Sequence, residues 1–150
     1  MGPDIKLQDM NITFLIKNLD RNIGHLYETI AKEDGLDEVT ISNGRILGYL
    51  YHHKGQDVFQ KDFEDVFCIN RSSVATSLKL MEKKGYVERT SMDSDARRKK
   101  VKSTPLGEEK HRESMKCIRK LEETVNNTLS ESELSEFKRL TIKILEGLQK

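Results

Sequence analysis

A mainly α-helical fold with one small β-hairpin is what this 150-residue sequence predicts, in the order α-α-α-α-β-β-α-α. Three observations carry that prediction. Apolar residues recur at three- and four-residue spacing along most of the chain, the mark of amphipathic helices. The spacing changes to simple alternation between about 86 and 103 only, as in paired strands. Glycines and short polar capping residues stand at the seams between the two patterns.

The elements follow in order. Ile12, Leu15, Leu19, Ile23, Leu26 and Ile30 make one stripe of a first helix that stops near Asp34-Gly35. Thr40 is positioned to cap a second helix, which carries Ile46, Leu47, Leu50 and Tyr51 on one face. His52, His53 and Lys54 suit the negative end of its dipole, and Gly55 ends it. A short third helix is expected over about 58–66, with Phe63 and Val66 inward. After Ile69, Asn70 is a good N-cap for a fourth helix that buries Val74, Leu78 and Met81 and ends at Gly85. Two helices joined by so short a turn have the form of a helix-turn-helix. Tyr86–Thr90 and Lys100–Ser103 then alternate as strands, and the polar run Ser91–Lys99 between them reads as the tip of a wing. Thr104-Pro105 starts the next helix, a cap followed by proline at the first helical position, with Met115, Ile118, Leu121 and Val125 as its stripe. Ser130 and Glu133 form a capping box for the last helix, which carries Leu134, Phe137, Leu140, Ile144, Leu145 and Leu148.

Composition narrows the class. Charged residues are 34% and hydrophobic residues 35% of the chain, aromatics only 6%, and tryptophan is absent. A core that thin is readily completed by a partner subunit, which covers stripes a monomer would expose. The two cysteines, Cys68 and Cys117, are far apart and form no CxxC pair. No signal peptide and no apolar run of membrane-spanning length is evident, so a cytoplasmic protein with reduced thiols and no membrane partner is the expectation. Cys68 and Cys117 are both expected to be buried packing residues.

Charge is where the sequence becomes specific. From Asn70 to Lys102 there are ten basic residues against four acidic ones, a net of +6, which leaves −5 for the rest of a chain whose total is +1. A nearly neutral protein has gathered its positive charge onto one helix and one hairpin, an arrangement that phosphates reward through counterion release. On the fourth helix Ser72, Ser73 and Thr76 alternate with the inward Val74 and Leu78. Their short hydroxyls can reach base edges in a major groove, while Arg71 and Lys79 supply phosphate contacts. Arg98, Lys99 and Lys100 on the hairpin add affinity for the backbone.

These residues also carry a resemblance. The run Arg71-Ser72-Ser73-Val74 through Met81-Glu82-Lys83-Lys84-Gly85-Tyr86-Val87-Glu88-Arg89 resembles the recognition helix and wing entry of the multiple-antibiotic-resistance regulator (MarR) family. Asp95-x-Arg97-x-Lys99-x-Val101-x-x-Thr104-x-x-Gly107 is similar to that family's wing signature, and Gln60-Lys61-Asp62-Phe63 to its third helix. The resemblance implies a winged helix-turn-helix over about 40–104, flanked by dimerisation helices over about 5–33 and 105–149 of a single 150-residue domain. It implies a homodimer on double-stranded DNA, with Arg97 in the minor groove, Asp95 orienting it through a charge-assisted bond, and a roughly palindromic operator. Three positions depart from the pattern. Ser103 stands where leucine is usual and should loosen the wing's packing, and Pro105 replaces a polar residue and sharpens the helix start. Phe59 occupies the place of a capping threonine, which passes the capping of the third helix to Asp57.

MarR-like proteins often release DNA when a small phenolic or other aromatic acid binds, and His25, Tyr27, Tyr49 and Tyr51 are the candidates to line such a site. The oxidant-sensing cysteine that some relatives carry near the start of helix one has no counterpart before Cys68. No metal is expected: His52 and His53 are adjacent, His25 and His111 stand apart, and neither an HExxH nor a Cys/His cluster occurs. No catalytic residue or cofactor is expected either, since there is no phosphate-binding glycine loop, no GxSxG elbow and no dinucleotide fingerprint. The sequence thus reads as a DNA-binding transcriptional regulator and repressor. The rival is a winged-helix antirepressor that binds another regulator, against which the Asp95/Arg97 pair and the +6 segment both speak.

Overall fold

The structure is a computed structural model that describes residues 6–92 and 95–149, with the side chains of 92 and 95–97 outside the description. A 3-10 turn at Leu7–Asp9 precedes α1 (Ile12–Glu33), α2 (Glu38–Ser42), α3 (Gly44–His52), α4 (Gln60–Phe67) and α5 (Arg71–Lys83). Strands β1 (Val87–Met92) and β2 (Asp95–Ser103) follow, then α6 (Pro105–Asn126) and α7 (Glu131–Leu148). The hairpin is antiparallel, with Val87 opposite Ser103, Arg89 opposite Val101 and Ser91 opposite Lys99. The mainly helical, winged architecture is the one expected. By packing the chain divides into two units, Ala31–Lys116 and Met1–Ile30 with Cys117–Lys150.

The punctuation expected from the sequence holds at most seams. Gly35 takes φ +81° and Leu36 N donates to Ala31 O at 2.9 Å, a left-handed cap on α1. Gly85 does the same for α5 at φ +79°, with Tyr86 N donating to Met81 O. Asn70 Oδ1 accepts from Ser73 N at 2.8 Å at the start of α5, and Gly107 N donates to Thr104 Oγ1 at 3.0 Å at the start of α6. At α7, Ser130 Oγ accepts from Glu133 N while Glu133 Oε1 accepts from Ser130 N.

Four expectations are corrected. The single second helix is two, because Asp37 rather than Thr40 is the cap: its carboxylate accepts from Thr40 N at 3.2 Å and from Thr40 Oγ1 at 2.6 Å, leaving Thr40 buried inside α2. The break falls at Asn43, whose Nδ2 donates to Val39 O and so competes with helix propagation. Asp57 does not cap α4. Val58 O accepts from Val101 N and Phe59 is bridged to Lys100, so residues 58–59 run extended beside β2 and carry Asp57 away from the helix start. Asp62 takes the role by accepting from Phe59 N at 2.8 Å, and Asp57 pairs with Lys100 Nζ instead. Val66 is exposed rather than inward, because the buried edge of α4 is Phe63 with the half-buried Phe67 one turn on. Finally, β2 begins at Asp95, well before Lys100. Its outer half lacks apolar alternation, and backbone pairing alone makes it a strand.

In Ala31–Lys116 one apolar cluster joins α2 through the hairpin: Val39, Ile46, Leu47, Leu50, Val58, Phe63, Val74, Leu78, Met81, Tyr86, Val87 and Val101. In the other unit Cys117 and Leu121 are buried, whereas Ile12, Phe14, Ile16 and Leu19 of α1 and Phe137, Leu140, Ile144, Leu145 and Leu148 of α7 are exposed.

One close approach sets the seam between hairpin and α6. A Cβ on Gly107 would sit inside the van der Waals radius of the Tyr86 carbonyl oxygen and 2.8 Å from Ser103 Oγ. Gly24, inside α1, has open space around it. Gly107→Ala is therefore expected to lower the unfolding free energy, read from urea titration, by at least the roughly 1–3 kcal/mol of an overpacked core. Gly24→Ala should raise stability by about 0.5–1 kcal/mol through the removal of a flexible helix residue. Equal midpoints for the two variants would contradict the close-approach reading.

Candidate nucleic-acid interface

Helix α5 is amphipathic in a way that divides structure from recognition. Val74, Leu78 and Met81 are buried, at most 1% exposed, and hold the helix against the core. Arg71, Ser72, Ser73, Thr76 and Lys79 are all exposed on the remaining faces. The hydroxyls are not idle: Ser72 Oγ donates to Asn70 Oδ1 at 2.8 Å and Thr76 Oγ1 donates to Ser72 O at 2.9 Å. With their protons directed into the helix, both present lone pairs outward, and a major groove offers matching donors in the amino groups of adenine and cytosine.

The hairpin adds charge beside that helix. Arg98 is exposed and its guanidinium lies 4.5 Å above the Phe59 ring, a cation–π contact that fixes its direction. Lys99 is half-buried, and Lys100 is held by Asp57 at 2.5 Å, so its charge is partly spent within the protein. The side chains of Asp95 and Arg97 lie outside the described residues; their backbones are in β2.

Arg89 and Glu82 both stand in the run that carries the family resemblance, but their pairing is not evident from it. Arg89 Nε and Nη2 donate to the two carboxylate oxygens of Glu82 at 3.2 and 3.3 Å, seven residues away across the α5–β1 turn. Those bonds, more than burial, hold the Glu82 carboxyl below its ordinary value. A helical residue facing a strand residue across a left-handed glycine has no short-range spacing signature, so nothing in the sequence marks the pair.

A polar network lies at the base of the hairpin. Burial alone would raise the Asp37 carboxyl, but hydrogen bonds from Thr40 and Tyr86 outweigh it and hold it below its usual value. Lys110 of α6 stands 3.9 Å from Asp37 and 3.3 Å from Glu113.

Of the four aromatic candidates, His25 and Tyr27 belong to one unit and Tyr49 and Tyr51 to the other. His25 and Tyr27 belong to α1, His25 exposed and Tyr27 half-buried. Tyr49 stacks on His53 at 3.9 Å and meets Phe63 and Phe67 edge-on, as part of the packing of α3 on α4. Tyr51 faces the buried His111 of α6 at 4.6 Å, and His52 lies 6.2 Å from the same ring. This meeting of His52 and His111 joins residues 59 positions apart, which the sequence alone does not relate. Among the described residues no three His, Cys, Asp or Glu side chains are grouped to hold a metal. Cys68 is exposed, contrary to expectation. It is the left-handed residue (φ 52°) that ends α4, and that turn carries Ile69 onto the core while leaving the thiol outside. Cys117 is buried as expected.

Known proteins match this arrangement. Residues 38–98, from α2 to the outer part of β2, match the model of the MarR family. Over that segment, less than half of its length, the chain is similar to the MarR family. The solved structure of the Staphylococcus aureus MepR–DNA complex is 22% identical, covers 93% of this chain and 100% of its own, and superposes with a TM-score of 0.79. MepR described as a transcription regulator of the Staphylococcus aureus multidrug efflux pump MepA gives 23% identity, the same coverages and a TM-score of 0.70. Heme-free PefR gives 23% identity, 92% and 100% coverage and 0.68. At such identities the likeness shows a shared winged helix-turn-helix fold. No curated protein matches the chain.

The interior histidine is expected to make the fold sensitive to mild acid. Burial, and then the charges of His52 and Arg112, push the His111 imidazole below its ordinary value. The unfolded chain therefore binds a proton more readily than the folded one, so stability falls as pH drops through about 6.5 and on toward the lower folded value. The urea midpoint should decrease between pH 7.5 and 5.5, and His111→Gln should lose much of that decrease. A variant with the same pH dependence as the wild type would remove His111 as its source.

Proposed function

We propose that this chain is a homodimeric transcriptional repressor that binds a pseudo-palindromic operator in duplex DNA. The observation that carries this reading is the outer face of α5, where Arg71, Ser72, Ser73, Thr76 and Lys79 are exposed together while Val74, Leu78 and Met81 anchor the helix. A rigid helix with small acceptors and flanking cations on its free side has the chemistry that a major groove requires. The charge distribution supports the same reading, with +6 on residues 70–102 of a chain whose total is +1. So do the similarity of residues 38–98 to the MarR family, and the fold shared with a MepR solved on DNA.

Dimerisation rests on different residues. Phe137, Leu140, Ile144, Leu145 and Leu148 expose a continuous apolar stripe on α7, and Ile12, Ile16 and Leu19 expose another on α1. Stripes of that length cost solubility unless another subunit covers them. A two-fold dimer then sets two copies of α5 one helical turn apart on the duplex. In the proposal Arg97, oriented by Asp95, reads the minor groove, and Arg98, Lys99 and Lys100 add backbone affinity.

Salt-dependent binding to a genomic operator, selected with the purified protein, is the test. Log affinity should fall steeply and linearly with log salt, at about 0.9 for each phosphate neutralised. Arg97→Ala should weaken binding while leaving the dimer folded. Absence of selected DNA at low salt would contradict the regulator reading and favour a protein partner for the same fold. Repeating the titration with aromatic acids asks whether a small effector releases the duplex.

A further inference from the structure

A groove of about 690 Å³ runs between α4, α5 and the hairpin, and the residues that line it include Phe59, Arg71, Arg89, Arg98 and Lys99. We propose that this groove is a preformed seat for one phosphodiester of a duplex backbone, with Arg89 and Arg71, both in its lining, as the two groups that share the phosphate. The inference rests on the DNA-binding reading and deepens it, because it assigns a ligand group to Arg89.

The geometry of Arg89 is the starting point. Its side chain is only 13% exposed, and Glu82 occupies Nε and one hydrogen of Nη2 in a two-point bond. A guanidinium has five N–H donors, so three remain. A surface arginine pays rotamer entropy to reach a phosphate, whereas one already clamped pays little. Glu82 is thus a positioning residue that sets the direction of the free edge of Arg89.

The other walls fit an anion better than an apolar ligand. Arg71, the first residue of α5, is exposed. Arg98 is fixed from beneath by the Phe59 ring, which leaves the edge of its planar guanidinium available for hydrogen bonding. Two acids also line the groove, Asp62 and Glu64. Asp62 is committed to Phe59 N as the cap of α4, which directs its charge into the helix start. Among the described residues, and counting Lys61 as well, five cations and two acids line the concavity, and Glu82 offsets one more charge from the side. The balance remains positive.

Because a backbone seat ignores sequence, the test uses a short duplex of random sequence and the full-length protein. Arg89→Gln and Arg71→Gln together should reduce the slope of log affinity against log salt by about 0.9 for each protomer engaged, because one phosphate then loses both of its partners. Either change alone leaves that phosphate to the other arginine and should reduce the slope by less. A slope unchanged in the double variant, or a loss there of twice that size, would overturn the shared seat. Wild-type protein that fails to bind duplex at any salt would instead overturn the DNA-binding reading itself. Exchanging chloride for inorganic phosphate at fixed ionic strength separates backbone from free phosphate. Unchanged binding supports the backbone assignment, and displacement of the duplex would give the seat to a free phosphate and overturn it.

Discussion

Two neighbouring carbonyl oxygens hold the recognition apparatus together. Gly85 O accepts from Thr104 Oγ1, and Tyr86 O accepts from Thr104 N and has the bare Cα of Gly107 against it. The end of α5, the start of β1, the end of β2 and the start of α6 therefore meet within a few residues. The same threonine oxygen that donates to Gly85 also accepts from Gly107 N to cap α6. A change at this seam would move the recognition helix, the hairpin and α6 at once. Glycine is required at 107 for space and at 85 for its left-handed backbone (φ +79°), so each side of the seam depends on a residue with no side chain.

Outward from the seam, packing and recognition use different faces of the same elements. Tyr86 and Val87 are buried in the core, and Tyr86 also reaches the Asp37 carboxylate that caps α2. Across the α5–β1 turn, Arg89 and Glu82 tie the hairpin to the recognition helix by a two-point bond. The consequence is that the basic side chains of the hairpin and the exposed hydroxyls of α5 are presented by one packed body. Preorganisation of this kind reduces the ordering cost of binding and so supports specificity.

The fold was legible because its signals are local. Helix stripes, the glycines at 35, 55 and 85, the Asn70 and Thr104 caps and the Ser130/Glu133 box all act within a few residues. The recognition face was legible for the same reason: helical period places Ser72, Ser73 and Thr76 opposite Val74 and Leu78. Where local chemistry offered two solutions, the tertiary one prevailed. Asp37 outcompeted Thr40 as a cap, Asp62 replaced Asp57 once residues 58–59 paired with β2, and the left-handed turn at Cys68 turned Ile69 inward in place of the thiol. Contacts between distant residues left no trace in the sequence. The Arg89–Glu82 clamp, the stacking of Arg98 on Phe59 and the meeting of Tyr51 and His52 with His111 exist only because separate elements pack together.

In the proposed function, the outer face of α5 is the surface that meets duplex DNA. Amide NMR of the labelled protein, recorded as the selected operator is added, tests this. The largest shifts are expected at Arg71, Ser72, Ser73, Thr76 and Lys79, with smaller ones at the buried Val74 and Leu78. Shifts confined to α1 and α7, with the α5 amides unmoved by bound DNA, would contradict it.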